Sequence, residues 1–311
     1  MSSELSSPRF HNEEAAYEFV ESHLWPQGPV CPHCQATGAQ VGRLVGKSSR
    51  TGLRKCYACR KAFTVTIGTI FESSHLPLHM WLQAIYLMCS SKKGVSTRQL
   101  QRTLGCGMKT AWHLSHRIRH MMDPGEAVPP IGGAGKVVEA DETFLTNSPK
   151  TKKRPGYQHK VAVFSVVERG GRTRSFKLPG SPNAVEIKSR IWDTVDPASR
   201  LVTDGAQYYK GALVDHASVD HSADEWVRGD VHTNTLEGYF SVMKRGMFGV
   251  YQNVKGKHLH RYLAEFDFRQ NTREKLGADD KERAVIALKG AKGKRLTYTT
   301  SGRGDTEEIP F

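Results

Sequence analysis

No stretch of this chain is apolar enough to cross a bilayer. The longest candidate, near Met80 to Cys89, is interrupted by Gln83, whereas a span needs about 20 mostly apolar residues. The first thirty residues hold five acids and one base with no apolar core, so no secretory leader is expected and the compartment is read as cytoplasmic. Acids are scarce in the front third: residues 41 to 61 and residues 73 to 120 each carry seven Lys or Arg and no acid. Across all 311 residues, 45 Lys+Arg against 31 Asp+Glu leave a net charge of +14, which favours a polyanionic partner. Cysteine is sparse as well. Four of the six fall in two C-x-x-C pairs, a spacing that in a reducing compartment favours metal ligation over a disulfide scaffold. A length of 311 residues suggests two or three folded units, and 38% hydrophobic with 24% charged residues describes a polar globular protein, which excludes collagenous and wholly disordered classes.

The paired cysteines are Cys31 and Cys34, then Cys56 and Cys59. Two residues between thiolates let both sulfurs of a tight knuckle face one point, and four of them complete a tetrahedron around one Zn2+ with no open position, a structural site. Redox and iron–sulfur roles are weaker readings, because two well-spaced pairs need no further partner. Cys89 and Cys106 stand alone among helix-like residues and are read as small core hydrophobes.

Between Leu78 and Met122 apolar residues recur at helical spacing, enough for three helices. Ser96 begins a capped helix, Gly105-Cys106-Gly107 makes a turn, and Lys109 to Trp112 starts the next helix, the layout of a helix-turn-helix. That last helix is expected to offer Lys109, His113, Arg117 and Arg119 to DNA; a plain helical bundle with solvated cations is the competing reading. A Pro/Gly cluster from Asp123 to Gly135 reads as a domain boundary.

From Lys136 onward the pattern changes to strands: 137–144, 161–167 and 173–177 form a predicted meander, followed by a helix over 183–192 and a strand ending at Asp204-Gly205. A final helix around Glu237 buries Leu236, Phe240, Met243 and Met247 and lines its other face with Asn234, Glu237, Ser241 and Lys244. Each acid has an ordinary role open to it: Asp204 as a turn former, Asn234 with Glu237 as a capping box. Asp141 is the hardest to explain away, since a carboxylate in an apolar strand is costly unless paired or metal-bound. Brought together, Asp141, Asp204 and Glu237 would make an oxygen-rich site for two Mg2+ or Mn2+ ions, the arrangement that cleaves phosphodiesters. By alternation Glu139 shares the face of Asp141 and Glu142 takes the opposite one.

With CPHC and CYAC, FTVTIGTIFESSHLPLHMW, VVEADETF, LVTDGAQYY, HTNTLEGYFSVMKRGMFGVY and HLHRYLAEFDFRQN in sequence, the chain resembles, nearly end to end, the zinc-ribbon DDE transposases of bacterial insertion sequences, the ISXO2-like group. The resemblance implies a multidomain α+β protein. Its expected parts are an N-terminal helical segment (1–24), a zinc ribbon (25–72), a helix-turn-helix-like domain (73–122), a linker (123–135), a ribonuclease-H-like α/β catalytic domain (136–275) and a C-terminal segment with a loose tail (276–311). It implies Asp141, Asp204 and Glu237 as the acidic triad, with Glu237 rather than Asn234 in third place, and Lys244 as the cation beyond it. Asn234 and Arg245, together with Lys152 and Lys153 in the loop after the first catalytic strand, are expected on DNA. The partners implied are the element's terminal inverted repeats and target DNA, with a homo-oligomer on paired ends and a nucleoid-associated location. Two other activities share these motifs: a non-cutting zinc-ribbon DNA-binding regulator, and a ribonuclease-H-like nuclease without strand joining.

Overall fold

The structure, a computed structural model, describes residues 3–46, 49–125, 128–146, 160–220, 225 and 227–297. The chain divides into two compact units, one drawn from 1–91, 95–122 and 280–311, the other from 92–94 and 123–279. Among the described residues no helix is long and apolar enough to cross a membrane.

The first unit opens with α1 (Glu13–Leu24), capped by the Asn12 side chain and burying Ala16, Val20 and Leu24. A three-stranded antiparallel ribbon follows, in the order β1 (Val41–Arg43), β2 (Arg54–Cys56), β3 (Ala62–Phe63). The expected three helices are α2 (Leu78–Ser90), α3 (Thr97–Leu104) and α4 (Met108–Met122). Pro77 has no side chain to cap α2, and Glu13 supplies one from α1, accepting the N–H groups of Leu78 at 2.7 Å and His79 at 3.1 Å. Ser96 caps α3 through the N–H of Gln99, and Gly105 closes it in the left-handed conformation, φ 63°. Helix α8 (Asp280–Lys289) packs against α1, α2 and α4, burying Ala287 and Leu288. Gly290 permits that approach, because a Cβ there would lie 2.4 Å from the Met121 carbonyl oxygen.

The second unit is a five-stranded sheet flanked by helices. Strands β4 (Val137–Thr146), β5 (Lys160–Glu168) and β6 (Thr173–Lys177) form the expected antiparallel meander, and β7 (Arg200–Asp204) and β8 (His216–Val219) run parallel to β4, giving the order β6-β5-β4-β7-β8. One face of the sheet, with Val138, Ala140, Phe164 and Val166, packs on Ile187 and Ile191 of α5 (Ala184–Thr194). The other, with Leu145, Val163 and Val167, packs on Leu236, Phe240 and Met243 of α6 (Asn234–Gly246) and on Leu263 and Phe266 of α7 (Leu259–Asn271). The apolar stripe read from sequence is therefore the face by which α6 meets the sheet.

Two polar latches fix α6. Glu139, fully buried on β4, accepts the N–H groups of Thr235 at 2.9 Å and Leu236 at 3.0 Å, the Thr235 hydroxyl at 2.8 Å and the Arg169 Nε at 2.7 Å. A carboxylate at the helix start satisfies N–H groups that have no partner within the helix and complements its dipole. Further along, Tyr239 donates to Asp267 of α7 at 2.6 Å, and Asp267 also accepts the N–H and the hydroxyl of Ser175 on β6, each at 2.7 Å.

Candidate active site and cysteine cluster

Strand β4 pairs with β7 only from Val137↔Arg200 to Glu139↔Val202, while it stays paired with β5 as far as Thr146↔Lys160. Beyond Glu139 the side of β4 facing β7 is therefore released, just where β7 reaches its last residue, Asp204. Carboxylates from both faces of β4 meet across that opening. One oxygen from each of Asp141, Glu142 and Asp204 lies within 4.8 Å of the others, close enough to share a cation. Two of the three expected acids thus converge, with Glu142 as their companion. Glu142 keeps to the α5 face, where Tyr209 donates to it at 2.6 Å and Tyr208 donates to its other oxygen. It was not singled out as a ligand in sequence; the signal available was an acid beside Asp141 and two tyrosines shortly after Asp204.

Electrostatics mark the same spot. Burial raises the Asp141 carboxyl to about 8, helped by the charges of Glu142, Asp204 and Glu237. Burial also raises Glu142, against the two tyrosine hydrogen bonds that pull it down, and burial with the Glu142 charge raises Tyr209 far above the ordinary phenol range. Like charges crowded in a partly dry site favour either a proton or a cation. The Asp204 side chain is held by the N–H of Ala206 at 3.2 Å, and the Asp141 carboxylate by the N–H of Glu142 at 2.7 Å.

Glu237 lies outside the group of three. It is exposed on the first turn of α6, takes a hydrogen bond from Thr233 at 3.4 Å, and reaches Asp141 through its charge. Asn234 and Arg245 are exposed on the same helix and Lys244 is half-buried near its end.

The cations of α4 divide. Lys109 is exposed and His113 half-buried, but Arg117 is 5% exposed and Arg119 fully buried, so these two are not displayed to a DNA groove as expected. Arg117 donates to the Glu72 carbonyl at 2.7 Å and lies over the Trp81 ring, 4.9 Å from its centre, while Arg119 donates to Ser115 at 3.0 Å. The cause is packing: α4 is covered around most of its girth, whereas helical spacing alone suggested one open face. Lys152 and Lys153 lie outside the described residues.

In the ribbon, the sulfurs of Cys31, Cys34, Cys56 and Cys59 all lie within 4.8 Å of one another, with Cys31 and Cys59 at 3.7 Å and Cys34 and Cys56 at 3.5 Å. A tetrahedron with metal–sulfur bonds of about 2.3 Å has edges of roughly 3.8 Å, so the four thiols fit one metal ion. Both knuckles close alike. Gln35 after the first and Arg60 after the second take positive φ, 62° and 59°, and the N–H groups of Cys31 and Cys56 bond to the carbonyls of Ala36 and Lys61. The Cys59 N–H helps pull the Cys56 thiol down to about 7, while its neighbour Cys34, against a backbone hydrogen bond at Ala36, is pushed up by burial and by the other thiols.

Comparison with known proteins matches both parts. Residues 11–62 match a transposase zinc-ribbon domain and residues 133–271 an ISXO2-like transposase domain. A Halobacterium salinarum protein described as an uncharacterized protein in transposable element ISH50 is 27% identical over 285 residues, 87% of this chain and 95% of that one. Crystal structures of the Mos1 strand transfer complex and of a pre-cleavage Mos1 transpososome, each 12% identical and covering 67% of this chain and 74% and 73% of theirs, align with a TM-score of 0.28, too low to define a fold. Cysteine cluster, acidic cluster and both domain matches lie in the order that the motifs set out, and the chain belongs to the zinc-ribbon DDE transposases of the ISXO2-like group.

Proposed function

We propose that this transposase cuts DNA at the ends of its element and joins the freed 3′-hydroxyl to target DNA. The observation that carries this is the meeting of Asp141, Glu142 and Asp204 where β4 and β7 part. The sheet order, an antiparallel meander extended by two parallel strands, supports a ribonuclease-H-like core. Asp141, Asp204 and Glu237 serve as the catalytic carboxylates, with Glu142 beside them. A pair of Mg2+ or Mn2+ ions bound there would supply Lewis-acid activation of water and of the phosphate ester.

The chain's own residues do the rest. Tyr208 and Tyr209 hold Glu142 in place, the Glu139 latch fixes the turn of α6 that bears Glu237, and Lys244 and Arg245 neutralise the DNA backbone beside it. Asn234, Lys109 and His113 add polar contacts, with Lys152 and Lys153 further cationic candidates. The ribbon and the helix-turn-helix-like residues 73–122 together read the terminal inverted repeats, and the cysteine cluster holds one structural Zn2+. Paired ends call for a homo-oligomer, in the cytoplasm at the nucleoid. With Mg2+ and a labelled element end, purified protein is expected to release a nicked strand and, with target DNA, joined product; Asp141→Asn and Asp204→Asn bind the same DNA without cutting it. Equal cutting by the variants removes the site assignment, and nicks that never become joined products leave a nuclease.

A further inference from the structure

The first unit contains a cavity of about 430 Å³ that the acidic site does not use. Leu76, Trp81 and Leu114 form its apolar wall, and Lys109 and Arg117 contribute the cations, with His113 beside them; no acid lines it among the described residues. Lys109 and Thr110 belong to the first turn of α4, which has no acidic residue, so the helix dipole adds positive potential at the mouth. Arg117 is the informative member. The residue is 5% exposed, its Nε has no hydrogen-bond partner among the described residues, and burial lowers it only to about 10, so it stays charged at neutral pH. An apolar pocket that carries two donor-only cations, Lys109 and Arg117, suits a ligand with a flat apolar body and an anionic end.

We propose that this cavity binds one nucleotide unit, its base against the wall of Leu76, Trp81 and Leu114 and its phosphate at Lys109, Arg117 and the start of α4. The volume admits one such unit and not a duplex groove. The site is separate from the carboxylates and goes beyond DNA cutting. A nucleotide reaches it either free or drawn out of a strand, and the test distinguishes the two.

The full-length protein is titrated, without added divalent cation, with 2-aminopurine deoxyribonucleoside monophosphate and with a single-stranded oligonucleotide carrying one 2-aminopurine, reading the base fluorescence. dAMP is expected to displace the mononucleotide, and inorganic phosphate to do so about ten-fold less well. Thr110→Trp, which fills the mouth from an exposed position, and Lys109→Gln are each expected to weaken binding about ten-fold, with circular dichroism unchanged. A response of both probes to Thr110→Trp marks a strand-borne nucleotide, and a response of the mononucleotide alone marks a free one. Wild-type binding by both variants, or phosphate competing as well as dAMP, overturns the proposal. Asp141→Asn is expected to bind both probes like the wild type, so loss of the cleavage assignment and loss of this one are distinguishable.

Discussion

Asp141 binds its proton more tightly in the folded chain than an ordinary aspartate does, because burial and then Glu142, Asp204 and Glu237 raise it to about 8. Such a raised carboxyl adds stability that is fully present below its unfolded value, near 3.9, and is lost as the pH climbs through the folded value. In protein lacking a cation at the acidic site, the unfolding free energy of the wild type relative to Asp141→Asn is therefore expected to fall steadily between pH 5 and 8, as measured by urea denaturation. A cation must displace the same proton. Mn2+ affinity measured by calorimetry is expected to rise towards ten-fold per pH unit below about 8 and to level off above it; an affinity indifferent to pH would sink the assignment of Asp141 as a ligand. Much at this scale could be read from the letters alone. Strand alternation put Glu139 with Asp141 and Glu142 across from them, and the structure has Glu139 against α6 and Glu142 against Tyr209. What alternation could not reveal is that β4 parts from β7 after Glu139, because that depends on pairing between segments some sixty residues apart.

At the scale of elements, α6 is placed by a carboxylate from another strand. Thr233, at its N-cap, makes no side-chain cap, and Glu139 does that work from β4. Replacing Glu139 by Ala leaves two helix N–H groups and the Arg169 guanidinium short of a buried partner, and losing one side of a buried pair costs about 3–5 kcal/mol. Chemical denaturation is expected to register that loss, with Glu139→Gln retaining part of it because an amide oxygen still accepts. Ser96→Ala, by contrast, removes one cap from α3 and is expected to cost about 1 kcal/mol. The Ser96 cap was legible because capping is local: Ser96, Gly105 and the helix between them lie within ten residues. The Glu139 latch was not, since its partners lie nearly a hundred positions away. The docking of α8 was hidden for the same reason; nothing in its polar sequence names α2 as its neighbour.

For the molecule as a whole, a charge of +14 predicts binding to any nucleic acid, but only cations that reach phosphate release counterions. Each such contact contributes about 0.9 to the slope of log affinity against log salt on duplex DNA. Arg245 is exposed near the end of α6 and Arg119 is fully buried in the first unit, so equal charge does not mean equal effect. Arg245→Gln is expected to flatten the salt slope by about one contact and to leave the unfolding free energy nearly unchanged. Arg119→Gln is expected to do the reverse, leaving the slope intact while lowering stability, since its guanidinium bonds to Ser115 inside the helical packing. Fluorescence anisotropy with a labelled duplex across a salt series, run beside a urea titration of each variant, separates the two effects. A shallower slope for Arg119→Gln at unchanged stability would mean that α4 opens to present this side chain, and the buried packing described for it would have to be abandoned for the DNA-bound state.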